Sequence, residues 1–130
     1  MLQGIKYLFL LFMVLIVGVF AYYALTYIDE TVTENDAYGF YIGESKSETF
    51  KRARDLYSGQ KTSILHPLNK YGGGPYKQIS FTDNEYGLLK DRNIWEIYFD
   101  DGGYSDVIKL TFDSNKLISI YRHRQHFELP

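Results

Sequence analysis

The sequence predicts an α+β fold: one N-terminal transmembrane helix, then a small two-layer domain with one helix packed on an antiparallel β-meander of three or more strands. Three observations predict it. An uncharged run lies near the N-terminus, a capping box opens one amphipathic helix, and stretches of period-two patterning alternate with turn residues. The chain divides into a signal-anchor or transmembrane segment (1–28), an acidic linker (29–38) and an extracytoplasmic α+β domain (39–130).

The run Tyr7 to Ile28 holds 22 residues without a charge. As a helix rising 1.5 Å per residue it is about 33 Å long, enough to cross a hydrocarbon core of about 30 Å. Tyr7 stands at one end and Tyr22, Tyr23 and Tyr27 at the other, where interfacial aromatics belong. Lys6 and the terminal amine precede the run, and no basic residue follows until Lys46. That asymmetry predicts a cytoplasmic N-terminus and an outer domain, held in the inner membrane through residues 7–28. The competing reading is a secretory signal cleaved after Ala21, behind the apolar stretch Leu8 to Val19. The run continues to Ile28, longer than a signal requires. Both readings place the domain outside the cytoplasm.

Composition narrows the chemistry. The 130 residues carry a net charge of −2 and no cysteine. A thiolate metal site, a thiol nucleophile, a disulfide framework and a lipidated N-terminal Cys are therefore excluded. Asp29, Glu30, Glu34, Asp36 and Glu44 form an acidic leader, and the rest of the chain is nearly balanced, without the basic stripe of a nucleic-acid binder. With 13 Tyr and 9 Phe, a compact core needs few residues. Read functionally, the leader is an acidic docking segment for a basic partner; read structurally, it is a solvated spacer.

Ser45-Lys46-Ser47-Glu48 reads as a capping box, and Phe50, Ala53, Leu56 and Tyr57 follow at helical spacing up to a stop at Gly59. Residues 60–77, with Pro67, Gly72-Gly73-Gly74 and Pro75, read as a loop. No Lys-Ser or Lys-Thr follows these glycines, so they do not form a phosphate-binding loop. A strand is expected within Gln78–Thr82. Trp95, Ile97 and Phe99, then Ile108, Leu110 and Phe112, then Ile118 and Ile120 are expected to face one side of three strands.

Several residue groups invite a chemical reading. His123 and His126 are three apart, but in a strand residues i and i+3 point to opposite faces. A metal-dependent hydrolase using His66, His123 and His126 is the alternative class, and it would need a bend there. Asp100, Asp101 and Asp106 with Gly102 and Gly103 offer oxygen ligands without the calcium-loop spacing. No Ser sits in a Gly-x-Ser-x-Gly elbow. The sequence therefore assigns no catalytic residue, no metal ligand and no cofactor. The stronger reading is a recognition surface. Arg122, Arg124 and His126 share one face of the last strand, and Tyr71, Tyr76 and Tyr104 lie in loops or turns, where tyrosine serves interfaces. The bland reading of the same residues is a covered sheet end, with stems packed and heads in water.

Ile42-Gly43-Glu44-Ser45-Lys46-Ser47-Glu48, the helix after it, Trp95 and Tyr98, and Leu110-Thr111-Phe112-Asp113 through Leu117 resemble the small outer-membrane lipoproteins that assist β-barrel assembly. The resemblance covers about two-thirds of the domain. It implies an α+β protein-binding module facing the periplasm of a bacterium. The chain departs from that family in lacking the lipid-bearing Cys and in reading Leu56-Tyr57-Ser58-Gly59 where the family has Leu-Gly-x-Pro. One helix is evident where the family has two. The expected partner is another protein, in the envelope or secreted. An accessory subunit of an envelope complex and an immunity-type inhibitor of a toxin both fit, and the sequence is silent on oligomeric state.

Overall fold

A computed structural model of the chain describes residues 2–60, 62–67, 75–82, 85–100 and 105–125. Helix α1 (Leu2–Thr26) contains one stretch, Gly4–Thr26, long and apolar enough to cross a membrane. Its large side chains from Ile5 to Phe20 stand almost all exposed, as a lipid-facing surface requires.

One residue, Tyr27, separates α1 from strand β1 (Ile28–Val32). The ribbon β2 (Asp36–Ala37) and β3 (Phe40–Tyr41) follows, then helix α2 (Lys46–Tyr57). After these come β4 (Thr62–Pro67), β5 (Tyr76–Ile79), the short helix α3 (Tyr86–Leu89), β6 (Ile94–Phe99), β7 (Ser105–Asp113) and β8 (Lys116–Gln125). Six strands form one sheet in the order β1-β8-β7-β6-β4-β5, every pair antiparallel. The α+β class and the meander β6-β7-β8 are as the period-two pattern predicts.

The capping box of α2 is formed: the Ser45 side chain accepts from the Glu48 backbone, and Glu48 accepts from the Ser45 backbone N–H over 2.9 Å. Phe50 and Ala53 of this helix enter a core built on one face of the sheet, with Ile64, Trp95, Ile97, Ile108, Leu110, Phe112, Leu117 and Ile120 beneath. Trp95 is fully buried and donates its indole N–H to the Leu89 carbonyl over 3.2 Å, so α3 closes the layer beside α2. Phe50 meets Trp95 edge-on at 6.4 Å, and Phe112 lies 4.4 Å from it. Each such ring contributes roughly 1.5–3 kcal/mol by leaving water. Buried Lys46 donates to the Lys90 carbonyl (2.9 Å) and to Asn93 Oδ1 (3.1 Å).

Four expectations need correction. The stretch 29–38 is not a linker: Ile28 and Val32 lie on the core side of β1, register against Arg124 and Ile120, and make it the sheet's outer strand. Its charges hid the two apolar positions. Residues 60–77 are not all loop: β4 is an internal strand between β6 and β5, with Ile64 fully buried, despite ending in Pro67. Ile118 does not share the core face. The register slips between Thr111 and Phe112, so Leu117 and Ile120 are both buried while Ile118 is 45 % exposed. Leu56 stays 42 % exposed instead of entering the core, lying against Gly39, where a Cβ would meet its Cδ1 at 2.6 Å.

Two turns need left-handed backbone. Tyr38 (φ 54°) and Gly39 (φ 85°) join β2 to β3, and Ser114 (φ 48°) and Asn115 (φ 67°) join β7 to β8. Two consecutive positive φ values give the tight hairpin whose twist matches its strands. Tyr38 is the bulky exception among these residues, and its neighbours hold it there.

Candidate functional site

The core-facing row of β8 runs from Ile120 to Arg122 and Arg124, and the matching row of β7 ends in Asp106. Arg122 reaches diagonally across the pair and donates to Asp106 Oδ2 over 2.6 Å, while Arg124 Nε stands 3.9 Å from the same oxygen. Asp106 is 3 % exposed and the Arg122 side chain 13 %. Two rings flank the guanidinium: Phe99 with its centroid 4.9 Å away and Tyr38 at 5.2 Å. The Tyr38 hydroxyl donates to Glu30, the residue of β1 in register with Arg122. Burial, then this bond, pushes the Tyr38 hydroxyl up to about 12. Tyr57 closes the top, donating to the Tyr38 carbonyl over 3.4 Å and meeting Phe99 edge-on at 5.0 Å. This cluster ties β1, β6, β7, β8, the small ribbon and α2 together, and it stores the strained Tyr38 backbone.

A second cluster lies on the opposite face, where the end of α1 meets the sheet. The Tyr27 hydroxyl donates to Asp29 Oδ2 over 2.9 Å. The Tyr121 hydroxyl, then Tyr27, then the nearby His123 hold the Asp29 carboxyl below its usual range. The His123 ring stacks on Tyr121 (6.4 Å, 17°) and meets Tyr27 edge-on at 6.0 Å. Its Nδ1 is buried without a hydrogen bond among the described residues. The helix end is thus clamped to β8 by aromatic contact and to β1 by a charge-assisted bond.

The residues singled out from the sequence are only partly brought together. Arg122 turns inward to the buried Asp106 carboxylate, while Arg124 stands 3.9 Å from the same oxygen with its side chain 33 % exposed. Tyr76 begins β5, with β7, β6 and β4 between it and β8. Tyr71, Tyr104 and His126 lie outside the described residues, as do Asp101 to Tyr104 of the acidic loop. His66 is on β4 and His123 on β8, with β6 and β7 between them, about 14 Å at the usual strand spacing. Among the described residues, no group of three or more His, Asp or Glu side chains is placed to hold a metal ion.

The sequence reading named Asp106 only as a loop carboxylate and Asp29 only as part of the acidic leader, and it missed Tyr38. Asp106 carried a usable signal: it occupies the core-facing phase of Ile108, Leu110 and Phe112, where a carboxylate needs a buried partner. Tyr38 and Asp29 carried none: Tyr38 meets Arg122, and Asp29 meets Tyr121 and His123, only once β8 lies beside β1.

Comparison of the chain with protein-family models, with characterised proteins and with solved structures finds no match.

Proposed function

We propose that this protein is a non-enzymatic, protein-binding module of the bacterial envelope, anchored in the inner membrane with its N-terminus cytoplasmic and its sheet domain outside. One observation carries the reading: α1 passes through the single residue Tyr27 into a strand of the sheet, and the Tyr27, Asp29, Tyr121 and His123 cluster pins that junction. A free-swinging domain needs a flexible spacer. Here the domain is instead held at a fixed height and attitude beside the bilayer, which suits presenting one surface to a partner.

The charge asymmetry around α1 supports the outward orientation. Among the described residues α2 and α3 cover one face of the sheet, which supports a binding role, since Tyr98 and Ile118, 37 % and 45 % exposed, stand on the other face. The family resemblance of Ser45 to Glu48, Trp95 and Tyr98 supports the same class. Within it, the partner is a subunit of an envelope complex or a toxin that the domain neutralises.

The test is affinity capture with the full chain in detergent, from envelope and secreted fractions of its own cells. One partner in near-stoichiometric amount is the expected result. Recovery of nothing above background contradicts the proposal.

A further inference from the structure

The two edges of the sheet differ. β5 has four residues and follows directly on Pro75, a residue that blunts strand addition. β1 has five residues and no proline. It bonds to β8 on one side, and among the described residues no strand pairs with its other side. In an antiparallel pair, successive residues direct their backbone groups alternately toward the neighbour and away, so about two or three residues of β1 present both N–H and C=O outward.

This edge is one-sided in charge. Asp29, Glu30, Glu34 and Asp36 are all exposed, and no Lys or Arg occurs between Lys6 and Lys46. Tyr121 and Tyr27 keep Asp29 anionic by hydrogen-bonding its charged form. Pairing β1 with the β1 of a second copy sets carboxylates against each other. Centred on Glu30 it opposes Glu30 to Glu30, and centred between Asp29 and Glu30 it opposes those two residues twice. Like charges directly opposite destabilise a strand pair, whereas opposite charges support it. The edge therefore rejects its own copy and favours a basic strand.

We propose that the outer edge of β1 receives an extended segment of the partner protein as a seventh strand, and that this segment carries Lys or Arg at alternate positions facing Asp29 or Glu30. The proposal rests on the binding-module reading and names the chemistry the partner must offer. Main-chain bonds supply the affinity and the alternate basic side chains the selectivity. The junction at Tyr27 places the added strand beside the membrane surface.

The test uses the full chain in detergent micelles and a peptide of about ten residues alternating Lys with Val, a length that one strand spans. Hydrogen exchange locates it and fluorescence anisotropy measures its affinity. The expected result is binding with slowed exchange at residues 28–32. Methylating alternate peptide nitrogens removes at least two backbone donors worth about 1 kcal/mol each, weakening binding about tenfold or more in one of the two methylation phases. The peptide with Glu in place of Lys does not bind. Equal affinity for the parent and both methylated peptides, protection elsewhere than β1, or no binding of the Lys peptide overturns the proposal. Competition separates this from the parent reading. A captured envelope partner that excess Lys–Val peptide fails to displace overturns the edge assignment alone, whereas capture of no partner overturns the binding-module reading itself.

Discussion

Arg122 donates to Asp106 across the β7–β8 pair over 2.6 Å, between the rings of Phe99 and Tyr38, and the carboxylate it meets is 3 % exposed. An ion pair this deep does not by itself argue for high stability, because both charges lost their water. Breaking it on one side is another matter. Arg122→Met takes this guanidinium away from the buried Asp106 carboxylate, with Arg124 farther off, and the expected loss is about 3–5 kcal/mol. Asp106→Asn combined with Arg122→Met removes both charges and is expected to cost less than the single change. Urea unfolding followed by the fluorescence of Trp95, the one tryptophan, measures both.

Tyr38 makes stability depend on alkaline pH. Its hydroxyl is pushed up to about 12 by burial and by Glu30, against an unfolded value near 10. A raised folded value means the neutral form is favoured in the fold. That contribution is fully present below about pH 10 and is lost as pH rises toward about 12. Tyr38→Phe removes the titrating hydroxyl, so its unfolding free energy is expected to fall less steeply across that window than the parent's. Tyr57 and Tyr121, also raised by burial, keep part of the slope in both proteins.

The capping box has an acid signature. The Ser45 hydroxyl, then the Ser45 backbone, hold the Glu48 carboxyl below its usual range. A lowered folded value gives stability that is present above the ordinary carboxylate range and lost as pH falls through it. Ser45→Ala is expected to cost about 1 kcal/mol at neutral pH. The gap between variant and parent should narrow in acid, and denaturant titrations at neutral and acidic pH compare the two.

Helix α3 has only four residues, yet Leu89 is fully buried and its carbonyl takes the Trp95 indole N–H. Leu89→Ala should therefore behave as a core truncation costing about 2–5 kcal/mol, and not as a loop change of a few tenths. A red shift of native Trp95 emission should accompany it as the cavity opens.

Legibility in the sequence followed the separation of the partners. The capping box, α2 and the β6-β7-β8 meander rest on patterns that repeat within a few residues, and these are readable. The bulge that turns Ile118 outward is not, because one unpaired residue shifts the phase of everything before it without leaving a turn residue behind. β1 was hidden because Asp29 and Glu30 are satisfied by Tyr121, Tyr27 and Tyr38, partners that only the fold supplies. Arg122 and Arg124 stand on one face of β8, and His126 lies outside the described residues. The inward turn of Arg122 was not readable because the burial of Asp106 is a property of the assembled sheet.

The proposed role requires the domain to stand outside the cytoplasm. The chain contains no cysteine, so Lys51→Cys on the exposed side of α2 introduces a unique thiol. Labelling of intact cells with a membrane-impermeant maleimide, with the outer barrier opened and the cytoplasmic membrane left sealed, reads its location directly. Full labelling before lysis is the expected result. Labelling only after the cytoplasmic membrane is broken would contradict it.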